Sequence, residues 1–187
     1  MLSLSKQYLV ITALGKDKPG IVNTIINEVS RAHCNIEDSR FGLFGDNFTF
    51  IMYLSGSWQE ITQIEMILPP LAAKQDLLLM MKRTSGISTS MVRRVRIIVE
   101  VDDRESVIKK YTQLLIPHQM NIAELMSKTY LCEETNKQKL KIIISAQVSM
   151  NADFIELQKN IKALSQSLDA KYSISIVDYR ENSNGEF

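Results

Sequence analysis

The sequence repeats itself at an offset of 86 residues, and this repeat limits the possible folds more than any other feature. Asn35-Ile36 follows one helix-like segment, and Asn121-Ile122 follows another. Upstream of both pairs the offset holds without a gap, with polar residues matching polar ones and apolar residues matching apolar ones. Downstream, "FTFIMYLS" matches "LKIIISAQ" at an offset of 92, and the extra residues fall around the polar segment "CEETNKQK". A repeat of this length is a whole domain rather than one unit of a solenoid.

Each copy predicts the same order of elements, βαββαβ. Apolar and β-branched runs predict strands, and apolar residues spaced three or four apart predict helices. The strands of the first copy are expected at residues 8–14, 36–44, 48–55 and 76–82, with helices beginning near residues 20 and 57. The strands of the second copy are expected at residues 94–101, 121–131, 140–148 and 173–179, with helices at residues 106–119 and 154–168.

Local signals support the helices and one turn of the first copy. Ser57 with Glu60 three residues later is the pattern of a capping box, and Gly45-Asp46-Asn47 predicts a hairpin turn. The first helix has one apolar stripe, which comprises Ile21, Val22, Ile25, Ile26 and Val29. The second helix has another, which comprises Trp58, Ile61, Ile64, Leu68 and Leu71.

The predicted fold is α+β, with two tandem ferredoxin-like domains. Each βαββαβ unit closes into a four-stranded antiparallel sheet with both helices on one face. The first domain is expected at residues 1–84 and the second at residues 93–180, joined by a linker at residues 85–92 that contains part of "TSGISTS". Residues 181–187 are expected to form a tail.

The first sheet is predicted to be apolar on both faces. Phe48, Phe50 and Met52 point to one side of their strand, whereas Ile51 and Tyr53 point to the other. A sheet with two apolar faces has to be covered on both. The sequence therefore implies a partner for the open face, which is the other copy, another subunit or a target protein.

The composition excludes several classes of function. With 22 basic and 21 acidic residues the formal net charge is +1, which predicts no general attraction to DNA or to a membrane. The two cysteines have no CxxC spacing, and no signal peptide is visible, so we expect a cytoplasmic protein. No spacing of histidine, cysteine or carboxylate residues predicts a metal site or a cofactor.

The segment "LGKDKPGIVN" at the start of the first helix is the candidate ligand site. Turn chemistry explains part of it, with Lys18 as the expected N-cap, Pro19 as the first helical residue and Gly20 relaxing the turn. A helix N-terminus also carries free amide groups and a partial positive charge, which attract a carboxylate or a phosphate. From the loop alone, turn chemistry and ligand binding both remain open.

The loop, the element order and Asn35-Ile36 together resemble the ACT-domain family of regulatory modules, which commonly bind amino acids. The resemblance implies a ligand between the first loop of one domain and a strand of a paired domain. The ligand contacts that it implies here are Leu14, Asp17, Pro19, Gly20, Ile21, Val22, Asn35 and Ile36. The second copy has lost Pro and Gly and has gained Glu105, so its equivalents are expected to be weaker: Asp103, Ser106, Asn121 and Ile122.

The resemblance extends over both copies to ACT regulators that have no DNA-binding domain. It implies a repressor of the glycine cleavage operon that contacts a DNA-bound activator protein, with glycine relieving the repression. Domain–domain pairing and a homo-oligomer are further implications. All helical stretches belong to the two βαββαβ units, so no helix-turn-helix is predicted.

Two other classes of function remain as alternatives. "NFTFIMY" matches part of the RNP1 pattern of RRM domains, which would use Phe48 and Phe50 to stack RNA bases on the sheet. The Lys/Arg-Gly start of that pattern is missing, and the second copy has no aromatic residue in "LKIIIS". An enzyme is the weaker alternative, because His33 and His118 have no neighbours that form a catalytic signature.

Overall fold

The computed structural model describes residues 6–86, 91–148 and 153–180, and the chain divides into two compact units, Met1–Ile87 and Ser88–Phe187. The first unit comprises β1 (Gln7–Lys16), α1 (Ile21–Arg31), β2 (Asn35–Phe44), β3 (Asn47–Gly56), α2 (Trp58–Gln75) and β4 (Leu78–Thr84). The second comprises β5 (Met91–Asp102), α3 (Val107–Gln113), β6 (Asn121–Cys132), β7 (Lys137–Gln147), α4 (Phe154–Ser167) and β8 (Lys171–Arg180). The predicted α+β class with two βαββαβ units is confirmed.

The first sheet is antiparallel, with the strand order β2-β3-β1-β4. In the centre of the sheet, Ala13 of β1 pairs with Phe50 of β3 and with Leu79 of β4. Strand β2 has a bulge between Ile36 and Asp38. The β2–β3 hairpin turns at Gly45, which has a φ of 67°. A turn residue with a positive φ is the kind of position that favours glycine.

The core of the first unit lies between one sheet face and the two helices, because alternate residues of each strand point toward α1 and α2. The buried side chains from the strands are Leu9, Ile11, Ala13, Phe48, Phe50, Met52 and Leu54. Those from the helices are Ile21, Ile25, Val29, Ile61, Ile64 and Leu68. Phe48 and Phe50 are thus buried, and the hypothesis that they stack RNA bases is wrong.

Helix α2 begins as predicted but has one unexpected exposed residue. Ser57 caps the amide of Glu60, and the Glu60 carboxylate accepts from the Ser57 amide at 2.6 Å, so the capping box is confirmed. Trp58 is 60% exposed, so its predicted place in the buried stripe is wrong. Its ring instead lies under the guanidinium of Arg83, 5.7 Å from the ring centroid.

The second sheet has the equivalent order, β6-β7-β5-β8, and the equivalent bulge between Ile122 and Glu124. Its core includes Tyr111, whose hydroxyl lies 2.9 Å from the buried hydroxyl of Ser165. Helix α3 ends at Gln113, six residues earlier than predicted. Pro117 explains the difference, because proline lacks an amide donor and keeps the preceding residue out of the helical region.

Two strand starts also differ from the prediction. Asp76, the expected first residue of the fourth strand, has a φ of 58° and is the C-cap of α2, so β4 begins only at Leu78. Strand β5 begins at Met91, inside the predicted linker. The predicted tail at residues 181–187 lies outside the described residues. In the part of the chain that is described, no helix is long and apolar enough to cross a membrane.

The open face of the first sheet is apolar, as predicted from its strands. Ile51 of β3 is 42% exposed, and Leu78 and Met80 of β4 are 70% and 72% exposed. The register places Ile51 and Met80 on either side of Thr12 in β1. These side chains form a contiguous apolar surface, and such a surface commonly marks an interaction site.

Candidate functional site

The loop after β1 forms a tight turn that leads directly into α1. The Ile21 amide donates to the Lys18 carbonyl at 3.1 Å. The third residue of this turn, Gly20, has φ 85° and ψ −3°, and with Pro19 before it these angles are those of a type II turn. Gly20 is also the N-cap of α1. The predicted N-cap at Lys18 and the predicted helical position of Pro19 are therefore wrong, because the turn uses both residues before the helix starts.

A groove of about 420 Å³ lies along this turn and the start of α1. Its lining comprises Asp17, Lys18, Pro19, Gly20, Ile21, Val22, Asn23 and Ile26. The structure thus brings together five of the predicted ligand contacts, Asp17, Pro19, Gly20, Ile21 and Val22. Their contact with a ligand stays a prediction.

The polar groups of the groove carry charge of both signs. No side chain caps the start of α1, so the first-turn amides and the partial positive charge of the helix face the groove. Asp17 supplies a carboxylate, and its backbone is held by a hydrogen bond from its amide to the Asp46 carbonyl at 3.0 Å. The Lys18 ammonium donates to the Gln75 carbonyl at 3.4 Å. A small molecule with both a carboxylate and an ammonium group matches this arrangement.

The structure does not bring the other three predicted contacts into the groove of their own unit. Leu14 pairs with Thr49 and lies on the sheet face away from the helices. Asn35 pairs with Ser55, which in turn pairs with Tyr8 near the first end of β1. The groove follows the last residue of β1, roughly 26 Å away at the usual rise per residue. Ile36 pairs with Leu54, which pairs with Leu9, so it lies only one residue closer to the groove.

The Asn35 side chain belongs to a different polar cluster. The Lys6 ammonium donates to the Glu37 carboxylate at 2.7 Å, and the hydroxyl of Ser55 donates to the same oxygen. These two hydrogen bonds, with a third from Asn35, hold the Glu37 pKa at about 2, well below its usual 4.5. The cluster ties β2 to β3 at the bulge.

The second unit has a groove at the equivalent position, of about 260 Å³. Its lining comprises Asp103, Arg104, Ser106, Val107, Ile108, Ser127, Thr129 and Leu140. The Thr129 hydroxyl donates to the Asp103 carboxylate at 3.2 Å. The predicted residues Asp103 and Ser106 are thus together, whereas Asn121 and Ile122 pair with Gln147 and Ala146 at the other end of the sheet.

Two residues near the first groove were missed by sequence reasoning. Ser127 and Thr129 line the second groove from β6, and the repeat places Phe41 and Leu43 of β2 at the matching positions. Phe41 is 48% exposed and Leu43 57% exposed, although both face the helix side of the sheet. Phe41 stacks on the buried Phe48 ring at 5.7 Å. The signal in the sequence was "RFGLF", an apolar stretch on a strand that the order of the sheet leaves at an edge.

The described residues contain no group of three or more histidine, cysteine or acidic side chains placed to hold a metal ion. The groups that line the first groove are the amides at the start of α1, the Asp17 carboxylate, the Lys18 ammonium group, the Asn23 side chain and apolar side chains. Such groups can bind and orient a small zwitterion.

Comparison with known proteins gives a consistent result. Residues 7–82 match the family model of the ACT domain. A glycine cleavage system transcriptional repressor from Escherichia coli (strain K12) is 47% identical over 179 residues, which cover 95% of this chain and 94% of that protein. A protein of the same name from Shigella flexneri matches to the same extent.

Two solved structures resemble the whole chain. A crystal structure described as that of a candidate glycine cleavage system transcriptional repressor is 38% identical, with a TM-score of 0.67, and the alignment covers 94% of this chain and 99% of that one. An unknown protein from Galdieria sulphuraria is 19% identical, with a TM-score of 0.73 and coverage of 92% and 99%. At that identity the second structure supports the fold alone.

Proposed function

Because this chain belongs to the family of glycine cleavage system transcriptional repressors and is built from ACT-type domains, we propose that it senses glycine and represses by contacting a DNA-bound activator. Glycine, or a similarly small amino acid, binds the first groove and relieves the repression. The protein acts in the cytoplasm and binds no DNA itself.

The uncapped start of α1 beside Asp17 is the observation that carries the proposed ligand. Glycine has no side chain, so a site can recognise it only through its carboxylate, its ammonium group and its small size. The amides at the start of α1 suit the carboxylate, and Asp17 suits the ammonium group. The positive φ of Gly20 gives the turn that brings these groups to one groove.

The second groove is a poorer candidate for the same ligand. Its only described lysine or arginine lining residue, Arg104, lies 3.9 Å from the Asp102 carboxylate. Asp103 accepts a hydrogen bond from Thr129. Helix α3 is only seven residues long, which leaves it a smaller dipole than α1. We therefore assign the glycine site to the first unit.

The packing of the helices supports repression through protein contact rather than through direct DNA binding. All four helices in the described part of the chain pack on their own sheets within the two βαββαβ units, so none of them is free to enter the major groove as a helix-turn-helix would. For glycine to relieve repression, its affinity has to differ between the free protein and the partner-bound protein.

Isothermal titration calorimetry with glycine tests the ligand assignment, and the two copies supply a matched pair of variants. Gly20→Val adds a branched side chain in the open space beside the first turn, and Ser106→Val places the same side chain at the equivalent position of the second. We expect glycine binding to the native chain, weakened by about tenfold or more in Gly20→Val and unchanged in Ser106→Val. Equal binding by both variants would refute the assignment to the first groove. Asn35→Ala, a further variant, tests whether a paired domain supplies the predicted Asn35 contact: glycine binding equal to that of the native chain would exclude it.

A transcriptional reporter tests the regulatory part. In cells that carry a glycine cleavage promoter fused to a reporter, the native chain should repress, and added glycine should restore expression. Gly20→Val should repress equally well but fail to respond to glycine. Loss of repression in Gly20→Val, with the variant folded by circular dichroism, would argue that the first groove serves the partner contact instead.

A further inference from the structure

The sheet of the second unit has an open face that is strongly basic, although the chain as a whole is nearly neutral. This basic face consists of the residues of β5–β8 that point away from α3 and α4. Five exposed cations stand on it: Arg96, Lys128, Lys137, Lys141 and Lys171. Of these, Lys137 lies 3.9 Å from the Asp102 carboxylate at one end of the face. The described carboxylates in the same rows of the face are Glu100 and Glu124. A chain with a net charge of +1 thus has a local excess of positive charge here.

Three of the lysines form one row across all four strands. The register pairs Lys128 of β6 with Lys141 of β7, Lys141 with Glu100 of β5, and Glu100 with Lys171 of β8. Like charges directly opposite each other on neighbouring strands destabilise a sheet. Glu100 offsets this only in part, because it also accepts a hydrogen bond from the hydroxyl of Tyr130. The Lys128–Lys141 pair therefore does not serve the stability of the fold.

The first unit shows that the fold does not need this row. By the repeat and the register, Lys128, Lys141 and Lys171 correspond to Gly42, Thr49 and Leu78. The same four-stranded sheet thus forms with a neutral row in one copy and a basic row in the other. The positive charge is a property of the second face alone, which points to a partner of complementary charge.

The middle of the basic face is apolar. Ile98 and Ile143 pair at its centre, and Met126 lies beside Ile143 with 57% of its surface exposed. Among the described side chains of this face only Tyr130 is aromatic, and it stands on an edge strand. Proteins that bind single-stranded nucleic acid stack bases on aromatic residues of the sheet. An aliphatic centre rimmed by cations therefore favours an acidic protein segment over RNA.

We propose that the basic face docks an acidic, partly apolar segment of a protein partner. Its carboxylates would lie along Lys128, Lys141, Lys171 and Arg96, and an apolar side chain would cover Ile98 and Ile143. The inference deepens the proposed function, on which it rests for the identification of the partner with the DNA-bound activator. The docking surface itself depends only on the residues of this face.

Fluorescence anisotropy with three labelled probes tests this inference on the full chain. The probes are a short peptide rich in Asp and Glu with Leu at every fourth position, the same peptide with Ser in place of Leu, and oligouridine RNA of equal charge. The double variant Lys141→Glu/Lys171→Glu changes the basic face. Its matched control, Lys159→Glu/Lys162→Glu, makes the same change in net charge on exposed positions of α4.

We expect the Leu-containing peptide to bind best, with a Kd that rises with salt and that increases by about tenfold or more in the face variant and by less than about twofold in the control. Lys141→Gln/Lys171→Gln, which avoids new repulsion with Glu100, should show the same direction.

Three results would overturn the inference: no binding of the Leu-containing peptide, an equal loss in face variant and control, or tighter binding of RNA that the face variant abolishes. Self-association of the native chain by sedimentation, lost in the face variant alone, would assign the face to a second copy and would overturn it too. Glycine calorimetry on the same variants keeps the result separate from the proposed function, because the basic face lies outside the first unit.

Discussion

At the scale of single residues, the two copies share a left-handed backbone conformation at the residue before their first helix, although the residue itself differs. Gly20 and Ser106 are the N-caps of equivalent helices, with φ values of 85° and 65°. A positive φ is easy for glycine but strains a residue with a Cβ by about 1–2 kcal/mol. We therefore expect Ser106→Gly to raise the free energy of unfolding by about 0.5–1 kcal/mol, part of the strain being offset by the flexibility of glycine in the unfolded chain. Urea denaturation followed by circular dichroism measures the change.

The reverse substitution is the matched control. Gly20→Ser places in the first unit the residue that the second unit has, and no atom outside the neighbouring residues lies within 4 Å of the Cβ position. Its effect is accordingly one of backbone strain alone, and we expect a loss of about 1 kcal/mol. Changes of the same sign in both variants would show that strain at this φ is not what separates the two copies.

Glu37 gives the first unit a specific dependence on pH. Hydrogen bonds from Lys6, Ser55 and Asn35 lower its pKa from 4.5 to about 2. Because the carboxyl pKa is lower in the folded chain than in the unfolded chain, ionised Glu37 stabilises the fold at any pH above about 4.5. This contribution is lost as the pH falls from about 4.5 through about 2. Glu37→Gln should therefore lower the free energy of unfolding at neutral pH by about 1–2 kcal/mol, a figure that allows for solvent screening.

Denaturation curves at a series of pH values test this assignment. The difference between the native chain and Glu37→Gln should shrink as the pH falls toward about 2. Glu133→Gln, in the exposed β6–β7 hairpin, is the control and should match the native chain throughout. A difference that stays constant over the whole range would mean that Glu37 acts through packing rather than through its charge.

At the scale of elements, helix α2 contains an internal defect. Pro69 and Pro70 lie inside its 18 residues. A proline has no amide hydrogen and cannot donate a hydrogen bond to the carbonyl four residues earlier. The carbonyls of Glu65 and Met66 therefore lose their helical partners. Met66 is exposed and lies close to the exposed Trp58 in an apolar groove on this helix. The helix continues through the prolines because Leu68 and Ala72 are buried on either side of them.

We expect Pro70→Ala to raise the free energy of unfolding by about 1–2 kcal/mol, since it restores one hydrogen bond and removes a clash, while the unfolded chain gains some entropy. Thermal denaturation of Pro70→Ala and of the native chain provides the measurement. Pro117→Ala is the comparison variant, because Pro117 lies beyond the end of α3 and its removal restores no hydrogen bond inside an existing helix. A destabilising effect of Pro70→Ala would show that the exposed prolines make contacts that the fold needs.

Every helix and strand could be located from the sequence, but the end of α3 and the start of β4 could not, because a single residue sets each of them. The apolar stripes of α1 and of most of α2 were predictable because burial follows the helical period. The end of α3 was set by Pro117, and the start of β4 was set by the left-handed C-cap at Asp76. Trp58 has the spacing of a core residue, but the cation over its ring and its place in the first turn keep it at the surface.

At the scale of the whole molecule, the part of the candidate site formed by the loop after β1 was predictable from the sequence. The part contributed by neighbouring strands was not, because it depends on which end of the sheet each strand starts from. Asp17 and Gly20 follow β1 directly, so the turn had to bring them together. Asn35 is close in sequence to that helix, but α1 carries the chain back to the opposite end of the sheet before β2 begins. Only the register reveals that Phe41 and Leu43, rather than Asn35, share the groove's end of the sheet.

The two units have the same fold but different surfaces, so they should respond differently to glycine. The first unit has the longer uncapped helix and an apolar open face, whereas the second has the shorter helix and a basic one. A ligand that binds only the folded form of one unit stabilises that unit alone, by about 2.7 kcal/mol at 100 times its Kd. We therefore expect glycine to raise the stability of the first unit only.

Hydrogen–deuterium exchange resolves the two units in one experiment, because amide protection reports local stability. With glycine in excess, the amides of α1 should exchange more slowly, whereas those of α3 should keep their rates. Gly20→Val should abolish the protection of α1, and Ser106→Val should leave it intact. Equal protection of α1 and α3 would mean that both grooves bind the ligand, and that the loss of Pro and Gly from the second loop did not remove its site.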